Sequence, residues 1–173
     1  MRLYPGKVAA IAQDMVTHLC ENGDIEVQDA QASEVVLDIE SVLREYIRAE
    51  REITDKARDV ISRDGLEFNQ VNKIKMKLAE EREFGVGDRA IDYLTRQIIG
   101  ALFHSRHVEE VFAEDHTLRK SLREVLNRHL HVEDDLDQEV RRRIKNLQEG
   151  TATWEVEYHK VMSDLKRIKG LDA

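Results

Sequence analysis

Two glutamates stand where a packed helix calls for leucines. Val36, Ile39, Leu43, Tyr46, Glu50, Ile53, Ala57 and Val60 recur at alternating spacings of three and four, the seam of a coiled-coil-like bundle. Glu50 interrupts that seam, and Glu133 interrupts the corresponding seam 83 residues later. An ionised carboxylate buried without a partner costs several kcal/mol, more than the ~1.5–3 kcal/mol a seam leucine contributes. The pair therefore predicts a wetter, partly open place, with the carboxylates solvated or ion-paired to arginines. Two carboxylates near one axis could also share a proton or a cation, so an acid/base or metal site is the sharper alternative.

Histidine is the next residue type able to do chemistry. Five of seven fall at His104, His107, His116, His129 and His131. Helical spacing would put His104 with His107, or His129 with Glu133, on one face as metal ligands. Against this, His129 takes the seam position of Tyr46, which favours packing, and the first half offers no matching histidines. A metal-dependent or carboxylate-based enzyme built on Glu50, Glu133 and His129 is thus an alternative. The leading expectation contains no metal, no cofactor and no catalytic residue. Cys20 aligns with Phe103 and reads as a small packed side chain rather than a nucleophile. Pro5-Gly6-Lys7 lacks the frame of a phosphate-binding loop.

Arg141, Arg142, Arg143 and Lys145, with Trp154 nearby, form a basic cluster that could meet nucleic acid. Glu133, Asp134, Asp135, Asp137 and Glu139 precede it and cancel much of its field, so nucleic acid is an unlikely partner and a second alternative only. Trp154 either anchors a hairpin or faces a partner.

These residues must be positioned by helices. Across 173 residues, 41% are hydrophobic and 36% charged, with one proline and eight glycines, a mix that favours long solvated helices over sheet. Net charge is −8. Residues 1–88 hold 12 basic and 19 acidic groups, and no Lys or Arg lies between Lys7 and Arg44. Such a field repels nucleic acid and attracts basic partners. A single cysteine, no leader-like apolar stretch and no long apolar run lead to an expectation of a soluble, cytoplasmic protein.

Shifted by 83 positions, residues 10–61 overlie residues 93–144 without a gap. Ile11/Leu94, Met15/Ile98, Leu19/Leu102, Ile39/Leu122, Leu43/Leu126, Ile53/Leu136, Ala57/Val140 and Ile61/Ile144 all match. A repeat of this length is a supersecondary unit used twice. Each half reads as a helix, a very long helix and a third helix, and the expected helices are 6–21, 29–63, one through Phe68 to Leu78, one begun by an Asp88 cap, and 115–146. The last helix matches the third with a slip of four, absorbed in the loop at 148–153. The expected halves are residues 1–84 and 85–173, joined by Gly85-Val86-Gly87 and packed as one structural domain.

The opening Arg2-Leu3-Tyr4-Pro5-Gly6-Lys7, Ile25-Glu26-Val27, Leu37-Asp38-Ile39-Glu40-Ser41-Val42-Leu43 and Ala57-Arg58 resemble the bacterial family called domain of unknown function 507, over essentially the whole chain. The resemblance implies an all-α, Y-shaped molecule, with an antiparallel four-helix-bundle base and two helical-hairpin arms. It implies no activity. The periodicity leads independently to a duplicated three-helix unit divided in the same way. The functional expectation is a non-enzymatic interaction or structural module that presents helical arms to a protein partner, with no membrane association and with homo-oligomers possible.

Overall fold

The structure, a computed structural model, describes residues 3–130, 132–148 and 151–171, and the side chains of all of these except 68, 132–134, 152 and 155. The fold is all-α. Its helices are α1 (Val8–Glu21), α2 (Ala32–Asp64), α3 (Val71–Glu81), α4 (Ala90–His104), α5 (Asp115–Leu130), α6 (Val132–Arg143) and α7 (Ala152–Ile168). Single 3-10 turns over Pro5–Lys7, Asp29–Gln31, Phe68–Gln70 and Gly87–Arg89 lead into α1, α2, α3 and α4. These lead-in turns move the starts of α1, α2 and α3 two or three residues beyond the expected ones, and that of α4 by one. They also remove the expected Asp88 cap. With α4 beginning at Ala90, the cap position falls on Arg89, and no side chain bonds the helix end.

α2 spans 33 residues, a rod of about 50 Å at 1.5 Å per residue. Its buried face is Val35, Val36, Ile39, Leu43, Tyr46, Ile53, Ala57 and Ile61. The final step from Ala57 is therefore four residues to Ile61, not three to Val60, because a 3.6-residue period drifts against a strict heptad. Gly65 ends the helix in the left-handed region at φ 62°, where only glycine is free of a Cβ penalty.

The expected fifth helix over 115–146 corresponds to α5 and α6, described on either side of residue 131, and α6 ends at Arg143. His131 lies outside the described residues.

α1 packs on α2 and α5, and α4 packs on the same two helices, so α1, α2, α4 and α5 form a closed circuit around one core. α3 lies along α2, and α6 packs with α7. Burial follows the 83-residue shift. Ile11/Leu94, Met15/Ile98, Leu19/Leu102, Ile39/Leu122 and Leu43/Leu126 are all at most 2% exposed. A second cluster gathers Leu136, Val140, Ile144 and Leu165 with the terminal residues Tyr4 and Leu171. The N-terminal turn meets the end of α7 there, with the Lys166 ammonium 5.6 Å from the Tyr4 ring centroid.

A two-residue antiparallel ladder, unforeseen from the sequence, joins Ile25–Glu26 (β1) to Glu110–Val111 (β2). It ties the connection after α1 to the connection after α4. Ser121 on α5 donates to the Asp24 carboxylate at 2.7 Å, and Ser105 donates to Asp38 on α2 at 2.5 Å. Both bonds hold a residue just past one short helix to a long helix of the other half. The linker is buried as well: Phe84, Gly85 and Val86 are enclosed. A Cβ on Gly85 would lie 2.3 Å from the Tyr93 Cβ and 2.6 Å from the Arg89 carbonyl oxygen, so only glycine permits that approach.

Candidate functional site

The glutamate that breaks the α2 seam is answered from α3. Lys75 Nζ lies 2.8 Å from Glu50 Oε1, and both side chains are about one-fifth exposed. The partner is a lysine rather than an arginine, and the position is a half-buried ion pair. The side chain of Glu133, the other member of the alternative shared site, lies outside the described residues. His129 belongs to a different contact, its Nε2 2.6 Å from Asp14 Oδ2 on α1. Glu50 and His129 are thus claimed by different helices.

The remaining histidines also go to separate partners. His104 contacts the Gly100 carbonyl within α4, and His107 contacts the Gln31 side chain at 2.6 Å. The helical spacing expected for His104 and His107 fails because α4 ends at His104 and Ser105 is extended, with ψ 133°. No cluster of three His, Cys, Asp or Glu side chains suited to a metal ion occurs among the described residues. Cys20 is exposed, not packed as expected, because its place on α1 faces outward, like that of Phe103 on α4. Partial burial still raises its thiol pKa, which disfavours the thiolate.

Trp154 anchors its hairpin. Thr151 caps α7 by accepting from the Trp154 backbone N–H, and the indole stacks on Tyr158 at 4.9 Å with Arg141 of α6 5.5 Å from its centroid. In the basic cluster, Arg141 pairs with Asp137 and Arg143 with Glu139, each one turn earlier. Asp137, bonded by Tyr158 and then by Arg141, has its carboxyl pKa lowered.

A feature that the sequence reading passed over lies one turn before Glu50. Tyr46, Phe84 and Tyr93 form an aromatic knot where α2, the linker and α4 meet, with centroids 4.8–6.1 Å apart. The Tyr46 hydroxyl donates to the Gly85 carbonyl at 3.1 Å. Burial first, then the Glu50 and Tyr93 charges, push the Tyr46 phenol well above its usual range, which keeps it a neutral donor. On one side of the knot is a cavity of about 330 Å³ between α2 and α4, reaching Ala49 and Gln97; on the other is a groove of about 340 Å³ reaching Glu80, Glu83 and Arg96. Phe84 and Tyr93 line both.

The 83-residue shift shows what is distinctive about this cavity. It carries Asp14, Glu124 and His129 onto Gln97, Ser41 and Tyr46. Between α1 and α5 those positions are bridged, by His129 with Asp14 and by His18 with Glu124 at 3.6 Å. Between α2 and α4 the corresponding Tyr46, Gln97 and Ser41 line the open cavity. One seam is closed by histidine–carboxylate contacts and its counterpart is left hollow.

Residues 1–171 match the family described as protein of unknown function, DUF507. The chain belongs to that family. No match was found among curated proteins. The family's description names no activity. Among the described residues no helix is long and apolar enough to cross a membrane.

Proposed function

We propose that this chain is a non-enzymatic helical module that holds partner proteins. In this reading α1, α2, α4 and α5 are an antiparallel base. α2 with α3, and α6 with α7, are arms that leave it, giving a Y-shaped molecule produced by duplication of a three-helix unit and acting in the cytoplasm.

The observation that carries the reading is the extension of α2 beyond the four-helix circuit. Its second half buries Ile53, Ala57 and Ile61 while α3 lies along it. Both hairpins leave large apolar side chains outside: Met76 on α3 is 54% exposed and Val156 on α7 is 66% exposed. Long helices with apolar residues outward suit helix-in-groove recognition. Glu50, the strongest candidate for chemistry, is already committed to Lys75.

The test is affinity capture from the native cytoplasm with the wild-type chain and with a Met76→Glu, Val156→Glu double variant of unchanged helicity. A defined protein retained by the wild type and released by the variant supports the reading. Equal retention by both, or no specific protein with either, counts against it.

A further inference from the structure

We propose that the hollow α2–α4 seam is a socket for a bulky apolar side chain of a partner protein, with a Lys or Arg beside that side chain reaching Glu83. This rests on the interaction-module reading and names the surface and the partner chemistry.

Three separate observations converge on it. The first is the unequal pair of seams. Where His129 and Asp14 close one, Tyr46 and Gln97 leave about 330 Å³ at the other. The second is its lining. Val42, Ala49, Leu94 and Phe84 supply apolar surface, while the Tyr46 hydroxyl is already spent on Gly85. An apolar group entering there displaces water without stranding that donor. An apolar anchor in such a pocket is the usual energetic centre of a protein interface.

The third observation sets the charge of the occupant. Glu83 holds φ 54°, a region costly for any residue but glycine. Strain of this kind collects where a side chain is needed. Glu83 lines the groove next to the socket and makes no ion pair among the described residues. The other lining carboxylates are engaged: Glu45 by Arg48, Asp92 by Arg123, and Glu80 by Arg89 at 3.8 Å. Arg96 also lines the groove and opposes a cation at its own end. The two pockets together are lined by Glu45, Glu80, Glu83 and Asp92 against Arg89 and Arg96, a local acidic excess that draws a basic segment.

The experiment selects displayed random peptides on the full chain, then measures the best one, fluorescein-labelled, by anisotropy. The expected peptides share one aromatic or large aliphatic residue close to Lys or Arg. Ala49→Trp and, on the exposed rim, Gln97→Trp fill the socket, and each is expected to weaken binding about tenfold or more. Glu83→Gly is expected to weaken it about threefold while raising the melting temperature, since it removes the carboxylate and the strain together. A merely structural role for Glu83 would not move affinity and stability in opposite directions. Failure to select any peptide, selection of acidic ones, or unchanged affinity in a folded Trp variant overturns the proposal. If capture still depends on Met76 and Val156, only the socket falls and the module reading stands.

Discussion

Glu83 stands at the end of α3 where Gly170 stands at the end of α7. Both are left-handed, at φ 54° and φ 64°, and both are followed by the same closing bond. Phe84 N–H reaches the Ala79 carbonyl at 2.9 Å, and Leu171 N–H reaches the Lys166 carbonyl at 2.8 Å. The two helix ends are one motif written with different residues, in the register slipped by four that relates α3 to α7. A left-handed cap is the ordinary place for glycine. Glu83→Gly is therefore expected to stabilise the chain by about 1 kcal/mol, raising the melting temperature by ~2–4 °C. Gly170→Ala is expected to do the reverse by a similar amount. Calorimetry on both variants checks the pair; a loss of stability in Glu83→Gly would show that the Glu83 side chain offsets its own strain.

The Glu50–Lys75 pair holds α3 against α2 through two half-buried charges. Removing one charge strands the other, while removing both leaves an apolar seam of similar volume. Lys75→Met alone is expected to cost about 1–2 kcal/mol, less than a fully buried pair would because water still reaches both groups. Glu50→Leu with Lys75→Met is expected to recover most of it. Urea unfolding of the two singles and the double gives the coupling directly, and additive losses would mean that the pair contributes nothing as a pair.

What was legible in the sequence was periodic, and what was not depended on contacts between distant segments. The stripe from Val35 to Ile61 and its counterpart through Leu118, Leu122 and Leu126 are helical faces that spacing alone reveals. Glu50 was recognisable as a seam defect, but no spacing names Lys75, 25 residues away on another helix, as its partner. The ladder at Ile25 and Val111 has only two pairs, too short for an alternating pattern to register. The lead-in turns before α1, α2, α3 and α4 displaced helix starts because capping from sequence assumes a direct entry. The aromatic knot had one available signal: Tyr46 is the ring in an otherwise aliphatic stripe. Glu83 had another, since the slipped register already sets it against Gly170.

Ser121 is expected to matter more than its size suggests. Its hydroxyl donates to Asp24 at 2.7 Å, and the two side chains are 6% and 5% exposed. The Asp24 carbonyl also accepts from the Phe112 and Ala113 N–H groups, so the residue fastens the turn after α1 to the segment before α5. Ser121→Ala leaves a buried carboxylate short of a donor, at an expected cost of about 1–3 kcal/mol. Hydrogen exchange should then rise at residues 24–26 and 110–113 before it rises in α3. Uniform loss of protection across the chain would instead show that the two regions open together.

Tyr46 makes stability depend on alkaline pH. Burial, aided by Glu50, raises its phenol above the usual value of 10.0, so between the unfolded and folded pKa values the native state keeps a proton that the unfolded state has lost. Stability from this group is complete below pH ~10 and falls as pH rises from there toward the folded pKa. Tyr46→Phe keeps the stacking on Phe84 but deprives the Gly85 carbonyl of its donor, and is expected to cost about 1 kcal/mol at neutral pH. The same variant should lose less additional stability than the wild type between pH 9 and pH 11, scales set by the ordinary phenol pKa of ~10. Denaturant midpoints at three pH values across that window test both signs at once. Parallel alkaline losses in the two proteins would assign the sensitivity to other groups and remove Tyr46 from that role.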